Sequence, residues 1–449
     1  MKIYRLARIF IVLLTLCAAF PAHAQSIIRD TEIEEYMGEW FKPIFTAAGM
    51  SPDQVKIIIV QDDRVNAFVA GGSNIFINTG LLQKTDSPSE VMAVMAHELG
   101  HIAGGHLLRG RAAMEQASYE SILGMILGVG AAIATGKGEA ATVIGAGSAG
   151  MAQRGFLKYS RTFESSADQA ALRYFDGAAM NPTGFGTFMH KLEGQEMLPS
   201  SQQSEYVQSH PLTRDRIETI ESRVSQSPYK DKAYPEEWKK QHRMMLAKLN
   251  GYISPQQVAW TYDDSNNSIE ALTARAMAAY RTNDVAKALS LADKLLAAEP
   301  SNPYFLELKG QMLVDFGKLP QAISLYQKAI NLKPDAGLIR IALAHAQIET
   351  AGNDNKKLNE ALQNLRVALK SEPRSSRIHR LMATAYGRTG DETRAKLHLA
   401  EEALLQNKFD YAAAQAEAAQ KGLKTGSPDW IRAGDILSYV QSNKRHEDS

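Results

Sequence analysis

Two histidines four residues apart, His97 and His101 in His97-Glu98-Leu99-Gly100-His101, carry the most legible chemistry of this chain. On a helix, residues i and i+4 project from one face, so both imidazoles can grip one zinc ion while Glu98 points at a water bound there. That donor pattern is the layout of a zinc-dependent peptidase with one metal per chain. The five-residue match also occurs in ordinary helices. Its weight therefore depends on a third protein ligand.

Two candidates for that ligand follow. His106 lies nine residues after His97, about 180° around a continuing helix at roughly 100° per residue, so it faces away and reads as a structural residue or one lying behind the ligands. A glycine-turn pattern would want its third histidine at position 107, where Leu107 stands. The better candidate is in the segment from Tyr159 to Leu172, which reads as a second helix with Glu164 and Asp168 on a shared face. Glu164 completes a set of two histidines and one carboxylate and leaves the fourth position open for water. Asp168, one turn on, is placed to accept the free ring N–H of a ligand histidine.

With the strand-like run from Asn66 to Asn78 ahead of the first helix, these residues resemble the HtpX and CAAX-protease superfamily of zinc metallopeptidases. The segment Ser209-His210-Pro211-Leu212-Thr213-Arg214-Asp215-Arg216 extends the resemblance, with an arginine six residues after the histidine of a His-Pro pair. The resemblance implies a gluzincin-type domain, helical with a small β-sheet. It also implies that His210 caps the zinc or contacts the transition state, and that Arg216 helps stabilise the oxyanion or orients the loop. It covers nearly the whole mature chain, carboxy-terminal repeats included. For such exported members it implies stalled or misfolded outer-membrane β-barrel proteins as substrates and the barrel assembly machinery as partner.

Several elements must position this chemistry. Pro88 suits a first helical turn, Ser87 an N-cap and Glu90 the third position of a capping box, while Val91, Val94 and Met95 supply an apolar stripe that buries the helix. An extended peptide would lie along a strand edge, expected at Asn66, Ala67, Phe68, Asn74 and Ile75. The apolar stretch 122–151 is interrupted by Lys137-Gly138-Glu139. Each arm is shorter than the roughly 20 residues that span a bilayer, so a small-residue helical hairpin is expected, with peripheral membrane contact as its sharper reading.

The amino terminus predicts export. Lys2, Arg5 and Arg8 precede an apolar core from Ile9 to Phe20 and the Ala22-His23-Ala24 cleavage signal. Cleavage after Ala24 removes Cys17, the one cysteine, and with it any disulfide or thiolate chemistry. Losing three positive charges and no negative one takes the formal charge from +1 to −2. No basic excess points to nucleic acid, and the expected compartment is the periplasm.

The remaining 425 residues of the 449 are enough for two or three domains. After the polar stretch from Asp263 to Ser268 the chain becomes Ala- and Leu-rich and repeats, with Pro300 and Pro334 separated by the 34-residue tetratricopeptide period and Pro373 closing a longer unit. Ala288, Ala322, Ala361 and Ala395 recur where paired helices must approach. About four units, with an atypical closing pair from Phe409 to Leu437, predict a curved α-solenoid whose concave face binds protein. The fold is therefore expected to be mainly α: a signal at 1–24, a peptidase domain at 25–265 and a repeat domain at 269–440. Trp238, His242, Met245 and Leu249 share one helix face and are expected to dock the solenoid on the peptidase. Two functions fit: an endopeptidase acting on unfolded chains, or a chaperone and assembly adaptor whose zinc site is latched by His210.

Overall fold

The computed structural model describes residues 26–106, 161–199 and 201–447. The predicted signal at 1–24 and the apolar stretch at 122–151 lie outside the described residues. Among those described, no helix is long and apolar enough to cross a membrane. The structure is mostly helical with one small sheet.

The sheet runs β1-β2-β4-β3 and comprises β1 (Ser26–Ile28), β2 (Lys56–Gln61), β3 (Ala67–Ala70) and β4 (Asn74–Asn78). The strand-like run from Asn66 to Asn78 is thus a hairpin, folded at Gly71 and Gly72, both of which have positive φ. Asn74 holds the turn through its Nδ2, which donates to Gly71 O at 2.6 Å. β4 pairs with β2 on one side and β3 on the other and is buried along its whole length. Asn74 and Ile75 therefore cannot offer a free edge, which corrects the expectation for those two residues. Among the described residues the open edge beside the hairpin belongs to β3, whose Phe68 stacks on Phe76 of β4 with ring centres 5.0 Å apart.

Helices cover the sheet. α1 (Thr31–Ala47), α2 (Pro88–Ala103), α3 (Arg161–Gly177), α4 (Thr183–Leu192), α5 (Glu205–Ser209), α6 (Arg214–Gln226) and α7 (Glu236–Ile253) pack around a core that includes Trp40, Phe41, Leu99, Phe175 and Phe188. α2 is central, with every residue from Pro88 to His101 buried. Its start departs from the predicted capping box. Ser87 is the N-cap without a side-chain bond to the helix, and the Glu90 carboxylate accepts from Asp86 N–H at 2.8 Å and from Lys191 at 2.6 Å.

Ten further helices follow as antiparallel pairs: α8 (Ile269–Arg281), α9 (Val285–Ala298), α10 (Pro303–Asp315), α11 (Leu319–Leu332), α12 (Gly337–Thr350), α13 (Asn355–Ser371), α14 (Ser376–Thr389), α15 (Glu392–Leu405), α16 (Phe409–Gly422) and α17 (Pro428–Glu447). Pro300, Pro334 and Pro373 fall just beyond α9, α11 and α13, where their missing N–H and fixed φ end a helix without cost. Ala288, Ala322 and Ala361 are fully buried. Gly310 is small for a physical reason: a Cβ there would lie 2.7 Å from the Tyr326 ring.

α7 joins the two parts by having two apolar faces. Met245 and Leu249 enter the peptidase core, Trp238 packs beside them, and the His242 ring lies 2.8 Å from Thr85 Oγ1. On the other side Met244 packs with Leu272 and Ala276 of α8, and Gly251 lets Ala274 O approach. The joint is also ionic. Lys248, buried, lies 2.8 Å from the carboxylates of both Asp30 and Glu32. The repeats reach the same region. Thr31 Oγ1 donates to Glu307 at 2.9 Å, Tyr304 Oη to Glu35 at 2.6 Å, and Arg29 bonds Glu372 at 2.8 Å. Part of the repeat surface thus holds the chain's own first helix. Removing one partner of a buried ion pair leaves uncompensated charge and costs about 3–5 kcal/mol. Lys248→Ala is expected to lower the thermal midpoint accordingly, and a midpoint within a degree of the parent would show that Asp30 and Glu32 are rehydrated in the folded chain.

Candidate active site

The site is built where α2 crosses α3. At Gly100 a Cβ would lie 2.8 Å from the Ala167 backbone, so the two helices approach as closely as they do only because residue 100 has no side chain. That contact brings Glu164 and Asp168 of α3 against His97 and His101 of α2. The loop between α5 and α6 closes the cluster with His210.

Among the described residues, His97, His101, Glu164 and His210 form a group able to hold a metal ion, with their ligand atoms within 4.8 Å of one another and all four side chains buried. The finer distances are shorter. His97 Nε2 lies 3.0 Å from His101 Nε2, 3.3 Å from His210 Nδ1 and 3.4 Å from Glu164 Oε2. His210 Nδ1 is 3.2 Å from Glu164 Oε2, and His101 Nε2 is 3.5 Å from Glu164 Oε1. The other ring nitrogens have partners that set their tautomers. Asp168 Oδ1 lies 2.9 Å from His97 Nδ1, and His106 Nδ1 lies 3.1 Å from His101 Nδ1. With those Nδ1 positions engaged, the two Nε2 lone pairs are turned toward one point. Such convergence is costly in a bare chain and is relieved by a cation.

His106 is therefore not where a continuing helix would put it. α2 ends at Ala103, and Gly104 and Gly105 turn the chain back, Gly105 with φ of 60°. A Cβ at Gly104 would meet His106 Nε2 at 2.4 Å. The His106 ring stacks on Phe163 with centres 4.6 Å apart. It lies behind His101 and supports it, outside the metal-binding group.

Arg216, the arginine six residues after the histidine of the His-Pro pair, is buried against both carboxylates of α3. Its Nε and Nη2 bond the two Asp168 oxygens at 2.7 and 2.8 Å, and Nη1 bonds Pro211 O at 2.7 Å and lies 3.0 Å from Glu164 Oε2. All three nitrogens are engaged, two on Asp168 and one on the loop carbonyl and Glu164. Glu98 is buried, and its Oε1 has no hydrogen-bond partner among the described residues. That oxygen faces His210 Nε2 across 3.5 Å.

The charges follow from this packing. Burial raises the Glu98 carboxyl above its usual range, with His210 and His97 opposing. Burial would also raise Glu164, but His210 and His97 hold it well below the ordinary value. For His97 burial works against the charge, yet in the metal-free cluster Asp168 and Glu164 push the imidazole up to about 9, so a cation that binds Nε2 displaces a proton there. Burial and the neighbouring His97 hold His101 well below its ordinary value. The cluster is thus one coupled charge system in which the two α3 carboxylates are anionic.

Residues 29–224 match the profile of peptidase family M48. This region is an M48 metallopeptidase domain. Residues 273–337 match the tetratricopeptide repeat, which agrees with the helix pairs α8 to α11. Over 415 residues the chain is 23% identical to the beta-barrel assembly-enhancing protease of Yersinia pestis, covering 90% of this chain and 83% of that protein. It is 24% identical over 328 residues to the protease of the same name from Escherichia coli K12, covering 72% and 66%. A putative beta-barrel assembly-enhancing protease of Vibrio cholerae is 25% identical over 289 residues, covering 63% of this chain and 59% of its own length.

Two strands, β1 and β2, went unread in the sequence, although the apolar run from Ile57 to Val60 is a buried-strand signal. A further residue at the site, Tyr206, carried no sequence signal. It packs against His210 with ring centres 4.7 Å apart.

Proposed function

We propose that this chain is an exported zinc endopeptidase of the periplasm that cleaves misfolded or stalled outer-membrane β-barrel proteins and assists their assembly, its repeats engaging protein partners. The observation that carries the chemistry is the set of four donors within 4.8 Å of one another, five of whose six separations run from 3.0 to 3.5 Å. A tetrahedron with metal–ligand bonds of 2.0–2.1 Å has donors about 3.4 Å apart, so the nitrogens and carboxylate present fit zinc. The predicted export signal and the names of the relatives support the compartment and substrate class.

His97, His101 and Glu164 would hold the metal, with His210 in the fourth place of the closed site. Zinc held there supplies Lewis acidity, which acidifies a water and polarises a carbonyl. The chain's own groups do the rest. Glu98, whose burial makes it a stronger base than an exposed glutamate, takes a proton as the water oxygen bonds to the scissile carbonyl carbon. It passes that proton to the nitrogen as the C–N bond breaks, leaving a new carboxyl and a new amine. The substrate strand pairs with β3, the free edge beside α2. Asp168 and Arg216 act as positioning residues, the first on His97 and the second on the loop that carries His210.

Metal analysis tests this reading. His97→Ala, His101→Ala and Glu164→Ala are each expected to purify with less than about a tenth of the parent's zinc, because losing one of three ligands underholds the ion. Full zinc in Glu164→Ala would place the third ligand elsewhere. A second reading is favoured by the His210 Nδ1 position, 3.2 Å from Glu164: the chain acts chiefly as an assembly adaptor with its site latched. Glu98→Gln separates the two, since it ends cleavage and spares an adaptor.

A further inference from the structure

Tyr206 is fully buried, and its hydroxyl has no hydrogen-bond partner among the described residues. A phenylalanine would fill the same volume without burying an unpaired phenol, so the hydroxyl needs a reason to be there. Its surroundings supply one. Tyr206 begins the helical turn that leads to His210, and Phe188 meets its ring edge-on with centres 5.9 Å apart. The turn is pinned to the segment just before the free edge strand. Tyr206 N–H donates to Val65 O at 3.1 Å, while the adjacent Glu205 accepts from Asn66 Nδ2 at 3.1 Å and pairs with Arg64. The residue is therefore held between the edge on which a substrate strand would pair and the four metal-binding side chains. Burial raises its phenol well above the ordinary value, and so do Glu98, Glu164 and Asp168, with Arg216 opposing.

We propose that Tyr206 is a catalytic residue whose hydroxyl donates a hydrogen bond to the oxyanion that forms on the scissile carbonyl once His210 has left its resting place. This rests on the endopeptidase reading. The His210 ring now covers one side of the Tyr206 ring, so its departure opens the space beside the phenol to a substrate carbonyl. A neutral, preplaced donor that is unpaired in the resting chain gains its partner only as charge develops, which lowers the barrier without tightening the ground state.

The test is Tyr206→Phe in the full chain carrying zinc, compared with the parent on one unstructured peptide, with zinc content and thermal midpoint measured alongside. A phosphinic peptide with a tetrahedral anionic centre serves as the binding probe. The expected result is a kcat lower by tenfold to a hundredfold, about 1.4 to 2.7 kcal/mol, with KM changed less than twofold. Affinity for the phosphinic peptide should fall by a similar factor, while zinc is retained and the midpoint is unchanged or higher. Parent-like kcat and phosphinic affinity in the variant would overturn the proposal and leave Tyr206 as core packing. A reduced kcat with unchanged phosphinic affinity would also overturn it. If instead the parent itself neither cleaves nor binds the phosphinic peptide, the endopeptidase reading fails with it.

Discussion

Glu98→Gln is expected to reduce peptide cleavage by about a thousandfold or more while leaving zinc content and thermal midpoint at the parent's values. The amide has the shape of the carboxylate but cannot take the water's proton or return it to the leaving nitrogen, and positioned general acid–base catalysis contributes roughly 10²–10⁴ in rate. The substitution should not loosen the fold. Glu98 is buried with one oxygen unpaired and its charge opposed by burial, so replacing it with a neutral amide removes a desolvation penalty and creates no cavity. Activity on an unstructured peptide, measured with metal content, decides the matter. Residual turnover within tenfold of the parent would mean that another group handles the proton, and would return Glu98 to a structural role.

His210→Ala should act in the opposite direction, raising basal cleavage of an unfolded protein by about tenfold or more. His210 Nδ1 sits 3.2–3.3 Å from His97 Nε2 and the Glu164 carboxylate, the place of a fourth donor. A zinc site closed by four protein ligands is silent. If the closed form outnumbers the open one by ten to one, removing the latch recovers about that factor. Initial rates on one substrate distinguish the possibilities. A hundredfold loss, about 2.7 kcal/mol of transition-state stabilisation, would instead make His210 a catalytic residue that contacts the reacting centre.

These residues were readable in the sequence because metal chemistry constrains local spacing. His97 and His101, like Glu164 and Asp168, are four residues apart, just over one helical turn, so helix geometry alone places each pair on a face. Bringing the two sets together is a tertiary event, and Gly100 is its visible trace only once Ala167 is known to lie opposite. His106 shows the limit of angular reasoning. The rotation was computed for a helix that continues, whereas α2 stops at Ala103 and two glycines return the chain. The strand edge was half legible, because alternation marks extended chain but cannot say which strand of a hairpin acquires a second neighbour. Phe68 lies on the edge strand; Asn74 and Ile75 lie inside the sheet. The face of α7 bearing Met245 and Leu249 was legible from its period, but it belongs to the peptidase core, and the opposite face meets the repeats. The ionic joint around Lys248 was invisible, since its partners Asp30 and Glu32 lie more than two hundred residues away.

The loop bearing His210 is fixed at both ends, by Tyr206 and Glu205 on one side and Arg216 on the other. Only Val207 to Asp215 lie between those anchors. In the proposed latch these nine residues, among them Pro211 whose carbonyl Arg216 holds, are the span that must shift to unseat His210. The proposed closing of the site after cleavage would then fall on the timescale of a local loop motion and need no large movement of the molecule.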